Sequence, residues 1–492
     1  MSHVLAIDLG TTGLKAAVVR EDAMVVAAAS RPLTNHLTAD GGVEQDAEQW
    51  WRSLVDAGRE AVVSSGVGGD IVAVTCTSQY MSIVPVAADG TPVGPVIMWM
   101  DHRGGAATRH LRTRDHIGVW LERHGLAPFG ADDLAHIAAL REHHPDAYAS
   151  AAAFVEPVDA ITARMVGRVT ANQNTAFPLL LTDNRLHGVT AYDTDLVERS
   201  GVDPTRLPEL VPMGAVLGTV RAALAADLGI PSSAVVVGGT MDSVSGAVGT
   251  GAITSARCGV VIGTTSVAMT HVPTLRADHR RALMAAPSPI AATYVVLAEN
   301  GVGGKALEHV AGHLQTTAGA LVDLAADVPT GADGVLFLPW LVGAMAPVPD
   351  GHARAGLLGL SLGSTRAHIA RAVLEGVAMN MAVLLPAVEH FAGATFTDVT
   401  FGGGGAASPL WGQILADACA RPVRRLVEPG ACNARGAALL AFAALGVLDI
   451  ADVPALLPIV ATHAPDPAAV VVLAEARERL EAARSIASSG SA

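Results

Sequence analysis

An apolar strand that breaks into a Gly-Thr-Thr turn occurs twice in this chain, once at the start of each half. Ile7-Asp8-Leu9-Gly10-Thr11-Thr12 leads into a second apolar run at 14–19, and Gly259-Val260-Val261-Ile262-Gly263-Thr264-Thr265 leads into another at 267–270. Each reads as a β-hairpin whose glycine lets the turn close. Such a turn leaves backbone N–H groups pointing into one concavity, which suits an anion. Strand, turn and return strand recurring together argue for an internal duplication. The chain is therefore expected to form two related α/β domains, residues 1–250 and 251–492, with their loops facing one cleft.

Local signals fill in the elements. Asp46 with Gln49 makes a capping-box start for a helix whose apolar face is Trp50, Trp51, Leu54, Val55, Ala61 and Val62. Residues 71–77 read as a strand, and strands alternate with helices up to residue 245. In the second half, Ser364 is expected to cap a helix with Ile369, Val373, Val377 and Met381 on one face, stopped by Pro386. Ser408-Pro409, after the glycines 402–405, predicts another cap with proline at the first helical position. Leu410, Ile414, Leu415 and Ala418 are its buried stripe. After residue 465 a terminal helix is expected to fray into SIASSGSA.

Composition narrows the functional classes. Apolar types make 51% of the 492 residues and charged types 16%, so a large core is expected and disorder is not. Lys plus Arg number 32 against 46 Asp plus Glu, a net charge of −14, which argues against nucleic-acid binding. The start MSHVLAIDLG lacks the features of a secretory signal. The longest charge-free apolar run, 436–448, falls short of the roughly 20 residues that span a bilayer, so no membrane role is expected. Cys76, Cys258, Cys419 and Cys432 show no CxxC pair, and the 18 histidines no HExxH, which fits reduced thiols in a cytoplasmic protein. Lysine occurs only at 15 and 305; in so arginine-rich a chain, Lys15 beside the first turn suits a compact point charge.

Glycine-rich turns suggest a phosphate ligand, and a chain this acidic must hold one locally. GxxxxGK[ST] is absent, because Lys15 follows Gly10 at the wrong distance and precedes Ala16. No strand-to-helix GxGxxG occurs either, which disfavours P-loop NTPases and dinucleotide dehydrogenases. Two Gly-Thr-Thr hairpins and a glycine run at a helix start can together hold a triphosphate through oriented donors.

The residues 7–15 (IDLGTTGLK), 238–249 (GGTMDSVSGAVG) and 401–411 (FGGGGAASPLW) together resemble the FGGY carbohydrate kinases, most closely the xylulokinase branch. Supporting matches at 43–46 (VEQD), 99–103 (WMDHR), 336–339 (LFLP) and 435–438 (RGAA) follow in family order. The resemblance implies an α/β fold of two actin-like (ribonuclease-H-like) domains that enclose a central cleft and close around ATP, Mg²⁺ and a sugar or polyol. It implies phosphoryl transfer to a primary hydroxyl, D-xylulose to D-xylulose 5-phosphate first among the acceptors, and by analogy alone a homodimer.

Roles follow residue by residue from that resemblance. Asp8 orders Mg²⁺, although an Asp before Gly is equally a turn residue. Gly10, Thr11, Thr12 and Lys15 approach the β- and γ-phosphates, and Gly263, Thr264 and Thr265 match them from the other domain. Gly403 and Gly404 let the backbone approach the α-phosphate, and Ser408 lies where the family contacts adenine. Asp242, the lone acid of residues 235–255, is the catalytic base; locally it reads equally well as a helix N-cap. Gln79, Tyr80, Met81, Trp99, Asp101, Arg103 and Asp242 face the acceptor.

Two departures bear on the acceptor. Xylulokinases have Met-His after the glutamine where this chain has Tyr80-Met81, and a charged Gly-Glu-Arg-x-Pro where it has Gly343-Ala344-Met345-Ala346-Pro347. Both leave the ATP side intact while keeping ribulose, glycerol and four-carbon polyols open. The Arg-Glu pair of glycerol kinases is also absent. An actin-like ATPase switch without a small acceptor is the second class, disfavoured by Asp242 and by the segment 99–103.

Overall fold

The computed structural model describes residues 1–489. In the N-terminal lobe, His3–Leu9 pairs antiparallel with Gly13–Arg20, which pairs antiparallel with Val25–Pro32. On its other side His3–Leu9 runs parallel to Ile71–Ser78, that strand runs parallel to Val235–Val237, and Val216–Thr219 closes the edge antiparallel. The C-terminal lobe repeats this order. Cys258–Ile262 pairs with Thr265–Met269 and then Tyr294–Val302, while Val399–Gly402, Val423–Leu426 and antiparallel Ile459–His463 extend the other side. The duplication read from two turns thus extends to six strands in each sheet.

The central strands are buried on both faces, which is why they read as continuous apolar runs rather than alternating ones. On one face of the first sheet lies the helix Ala47–Ser65, capped by Asp46, whose side chain accepts the Glu48 amide at 2.9 Å. Gln49 does not complete the expected box; its Oε1 takes the Thr34 amide at 3.1 Å and ties the helix to the strand end instead.

Proline 386 does not stop the long helix of the second lobe, which runs Arg366–Ala392 from a Thr365 cap. Pro386 lies on the exposed side, while Leu384, Leu385, Val388 and Phe391 carry the buried face past it. Burying four such side chains, at about 1.5–3 kcal/mol each, outweighs the roughly 3 kcal/mol of an interior proline. Among the described residues this is the one helix long and apolar enough to cross a membrane, and 78% of its apolar window is buried in the lobe. Ser408 caps Pro409–Cys419 as expected. The terminal helices Pro467–Ala482 and Arg484–Ser489 continue into the segment expected to fray, of which 490–492 lie outside the described residues.

Two helices cross where the lobes meet, Asp242–Gly249 and Cys432–Ala444. The second follows a strand of the C-terminal sheet, yet its Ala434, Ala437, Ala438, Ala441 and Phe442 pack on Val4, Ala6, Ala17 and Val19 of the N-terminal sheet. A Cβ on Gly436 would run into the Ser245 carbonyl and the Gly249 amide, so glycine permits the close crossing. Arg435, fully buried, donates to the carbonyls of Ala23 at 3.0 Å and Val427 at 2.6 Å and joins the lobes.

Candidate active site

Both threonine turns are held shut from behind. Gly10 donates to the Gly13 carbonyl at 3.0 Å, and the Thr12 carbonyl takes the Leu33 amide at 3.0 Å. In the other lobe Gly263 donates to the Thr265 carbonyl at 2.9 Å; its own carbonyl accepts from Gly304 at 2.7 Å, and that of Thr264 from Gly303 at 3.0 Å. Thr12 and Thr264 are exposed at the tips. The glycine run 301–304 went unread in the sequence. A Cβ on Gly303 would stand 2.6 Å from the Thr265 carbonyl oxygen, so the second turn needs it.

The third glycine turn packs on the second. Gly403, at φ 81°, donates to the Pro429 carbonyl at 2.9 Å, and a Cβ there would lie 2.6 Å from the Ile262 carbonyl oxygen. Gly404 faces open space. The Ser408 hydroxyl accepts the Trp411 amide at 3.2 Å as a cap, which leaves its O–H free to donate. Lys15 reaches from the first hairpin to the carbonyl of Gly430 in the opposite lobe.

Asp8, at the end of the first strand, is pushed up by burial; Lys15 and a hydrogen bond from Asn433 oppose the push. Asp242 is not the helix cap: Met241 occupies that position, and Asp242 is the first helical residue. Burial, then the charges of Asp8 and Glu299, raise its pKa to about 8, against a bond from the Ser243 amide. Glu299, on the strand Tyr294–Val302, is itself raised to about 7 by burial. It was missed in the sequence, although it is the lone acid of an apolar strand that ends in a glycine turn, just as Asp8 is.

Burial leads in raising all three carboxyls, Asp8, Asp242 and Glu299, and the neighbouring charges add to it at Asp242. Among the described residues no group of three His, Cys, Asp or Glu forms a ready metal cage. One carboxylate beside an amide suits a hard ion that keeps most of its own water, as Mg²⁺ does.

The residues expected to face the acceptor lie on two segments. Gln79 is buried, its Oε1 takes the Ser82 hydroxyl at 3.1 Å, and Ser82 in turn accepts the Trp99 amide at 3.0 Å. Trp99, 38% exposed, donates through Nε1 to the Thr11 hydroxyl at 3.1 Å, so this segment touches the first threonine turn. The Tyr80 hydroxyl is pushed up by burial and then by Asp242, while the neighbouring Ser243 hydroxyl opposes the push. Met81 lies beside it at φ 61°.

Asp101 and Arg103 do not meet the expectation of acceptor contacts. Asp101 is fully buried and its two oxygens take the Val43 and Arg103 amides and the Arg103 guanidinium. Burial alone would raise its pKa, but these bonds hold it below the usual range. Arg103 is spent on Asp101 and Glu44, both at 2.7 Å, and on Asp40 at 3.3 Å. The pair fixes the segment behind Trp99.

The chain is similar to known proteins along most of its length. The chain is 27% identical over 449 residues to xylulose kinase from Bacillus subtilis, covering 90% of this chain and 88% of that one. It is 29% identical over 466 residues to glycerol kinase from Dechloromonas aromatica, covering 90% and 89%. The solved structure of xylulose kinase from Rhodospirillum rubrum superposes with a TM-score of 0.79 at 28% identity over 98% of each chain. The two lobes have the actin-like architecture that the resemblance implied. Residues 3–249 match the N-terminal domain, and residues 258–445 the C-terminal domain, of the FGGY family of carbohydrate kinases; the chain belongs to that family of ATP-dependent phosphotransferases.

Proposed function

We propose that the protein transfers the terminal phosphoryl group of ATP to a primary hydroxyl of a neutral ketose or polyol, with D-xylulose, giving D-xylulose 5-phosphate, as the leading acceptor. Ribulose, glycerol and four-carbon polyols are the alternatives. The observation that carries this reading is Asp242, a carboxyl group on the first residue of a helix, raised to about 8 and set between Asp8 and Tyr80. A base of that basicity is matched to abstracting a hydroxyl proton near neutral pH.

In this reading Asp242 accepts a hydrogen bond from the acceptor hydroxyl, orients its oxygen and takes its proton late in transfer. The amides and hydroxyls of Thr11, Thr12, Thr264 and Thr265, with Gly10, Gly263, Gly403, Gly404 and Lys15, hold the phosphates by oriented donors. Ser408 lies toward the adenine. Asp8 and Asn433 would hold Mg²⁺, which supplies charge neutralisation at the phosphates. Residues 1–250 carry the acceptor and residues 251–492 most of the nucleotide, so closure of the lobes excludes water. Gln79, Tyr80, Met81 and Trp99 line the acceptor, with Asp101 and Arg103 behind them.

Charge selects the acceptor class. Asp8, Asp242 and Glu299 face the space, and the arginine of the wall is committed to Asp40, Glu44 and Asp101. An aldonate or sugar phosphate would meet uncompensated repulsion; a neutral hydroxyl-rich molecule donates to the carboxylates instead. An ATPase switch has no use for this wall. The four buried, unpaired cysteines suit a cytoplasmic setting, and a homodimer follows from family analogy.

The test is an ADP-release screen over neutral ketoses and polyols, with an aldonate as the charged control. Acceptor-dependent release with a neutral sugar or polyol supports the reading. Equal ATP turnover without any acceptor overturns it in favour of the switch.

A further inference from the structure

Met81 holds a left-handed backbone in the middle of the acceptor wall, a conformation unfavourable for any residue with a Cβ. Its amide is held by one contact, a donation to Glu156 Oε1 at 2.9 Å. Glu156 precedes the helix Pro157–Val166 and is 1% exposed. Asp133, fully buried at the start of the helix Asp133–His143, lies against it. Among the described residues, neither Asp133 oxygen nor Glu156 Oε2 receives a donor. Two facing carboxyl groups bond only when one carries a proton, and two buried carboxylates in contact do not both ionise.

Among the described residues no arginine or lysine pairs with either carboxyl, and the one basic neighbour is His136. Asp159, one turn along the Glu156 helix, bonds to Thr175 and adds negative charge. His136 Nδ1 is 3.6 Å from Asp133, and its Nε2 lies 3.1 Å from the Asp101 carbonyl oxygen. Tyr80 feels Glu156 from the cleft side, together with Asp242 and Glu299. The pair therefore stands behind both segments of the wall: it reaches residues 79–82 through Met81 and residues 99–103 through His136 and Asp101.

We infer that Glu156 is a positioning residue for the acceptor: sharing one proton with Asp133, it pins the Met81 amide and so sets the Tyr80-Met81 turn in the shape that admits the sugar or polyol. This rests on the kinase reading of the cleft. Loss of the shared proton at alkaline pH sets two charges against each other and loosens the turn. The acceptor then binds more weakly, while the nucleotide side, held by other elements, is unaffected. Burial, followed by the Asp133 charge, pushes Glu156 well above the usual carboxylate range, in keeping with a proton retained at neutral pH.

Two variants and two readouts test this. Glu156→Gln keeps an oxygen for the Met81 amide and offers Asp133 a permanent N–H; Glu156→Leu removes both. Acceptor KM is measured with D-xylulose, D-ribulose and glycerol from about pH 6 to about pH 10, a range that brackets an upshifted carboxyl. Hydrogen–deuterium exchange of the peptide 79–83 is followed in the ligand-free protein. We expect wild-type acceptor KM to climb toward the alkaline end and the Glu156→Gln profile to stay flat. Glu156→Leu raises acceptor KM and the exchange rate of that peptide by about tenfold or more, the cost of an orphaned buried amide, with kcat and ATP KM within about twofold. Unchanged exchange in Glu156→Leu, or wild-type acceptor KM and pH profiles in both variants, overturns the inference. If Glu156→Leu does not fold, the Glu156→Gln pH profile alone decides. A wild-type enzyme that turns over none of these acceptors counts against the kinase reading instead, and the exchange data then report separately whether Glu156 holds Met81.

Discussion

Lys15, on the return strand of the first hairpin, donates to the carbonyl of Gly430, 415 residues further along the chain and in the opposite lobe. The contact spans the cleft beside Asp8, whose carboxylate Lys15 helps to keep ionised. Lys15→Met is expected to lower kcat by about 10²-fold, the scale of losing one preorganised donor at a developing charge, with acceptor KM little changed. Lys15→Arg restores little, because a planar fork does not replace a compact ammonium. Steady-state kinetics at saturating acceptor reads both.

Asp242→Asn removes the proton acceptor while preserving shape. It is expected to fold, to bind acceptor, and to lose about 10² to 10⁴ in kcat by ADP release. In the wild type the carboxylate must be unprotonated to act. The acceptor kcat/KM is therefore expected to rise with pH through about 8, before the weaker acceptor binding expected at the alkaline end lowers it.

The same shift predicts a stability cost. Asp242 is raised from 3.8 to about 8, so between those values the unfolded chain binds fewer protons than the folded one. Stability is fully present below the lower value and is lost as pH rises through the upper one. Ligand-free Asp242→Asn should thus melt at least ~2 °C above wild type at alkaline pH, with the gap closing toward acid; differential scanning calorimetry across pH checks it.

Gly436→Ala probes the crossing of the two central helices. The added methyl would meet the Ser245 carbonyl and the Gly249 amide, both backbone, so relief requires the helices to part. A destabilisation of about 1–3 kcal/mol is expected from urea unfolding, with activity reduced at temperatures where the protein remains folded.

What could be read from the chain alone was local. The hairpins at 7–15 and 260–268 showed themselves because an apolar strand, a glycine turn and a return strand are all encoded within a dozen neighbours. Asp242 stood out as a lone acid, yet its cap role was misread, since which residue caps a helix depends on backbone angles at Met241 that sequence does not carry. Pro386 misled because the burial of residues around it is a tertiary fact. Glu299, Asn433 and Glu156 join the site only through strand order and helix crossing, and Arg103 turns away from the expected acceptor side because Asp40 and Glu44, distant in sequence, fold onto it beside its neighbour Asp101.

The central claim is that two threonine turns on opposite lobes present a terminal phosphate to Asp242. A crystal structure with acceptor and a non-hydrolysable ATP analogue tests it most directly. The account predicts phosphates lodged at 10–12 and 263–265 and an acceptor hydroxyl about 3 Å from an Asp242 oxygen. Phosphates bound elsewhere, or an acceptor whose hydroxyls leave Asp242 untouched, would contradict it.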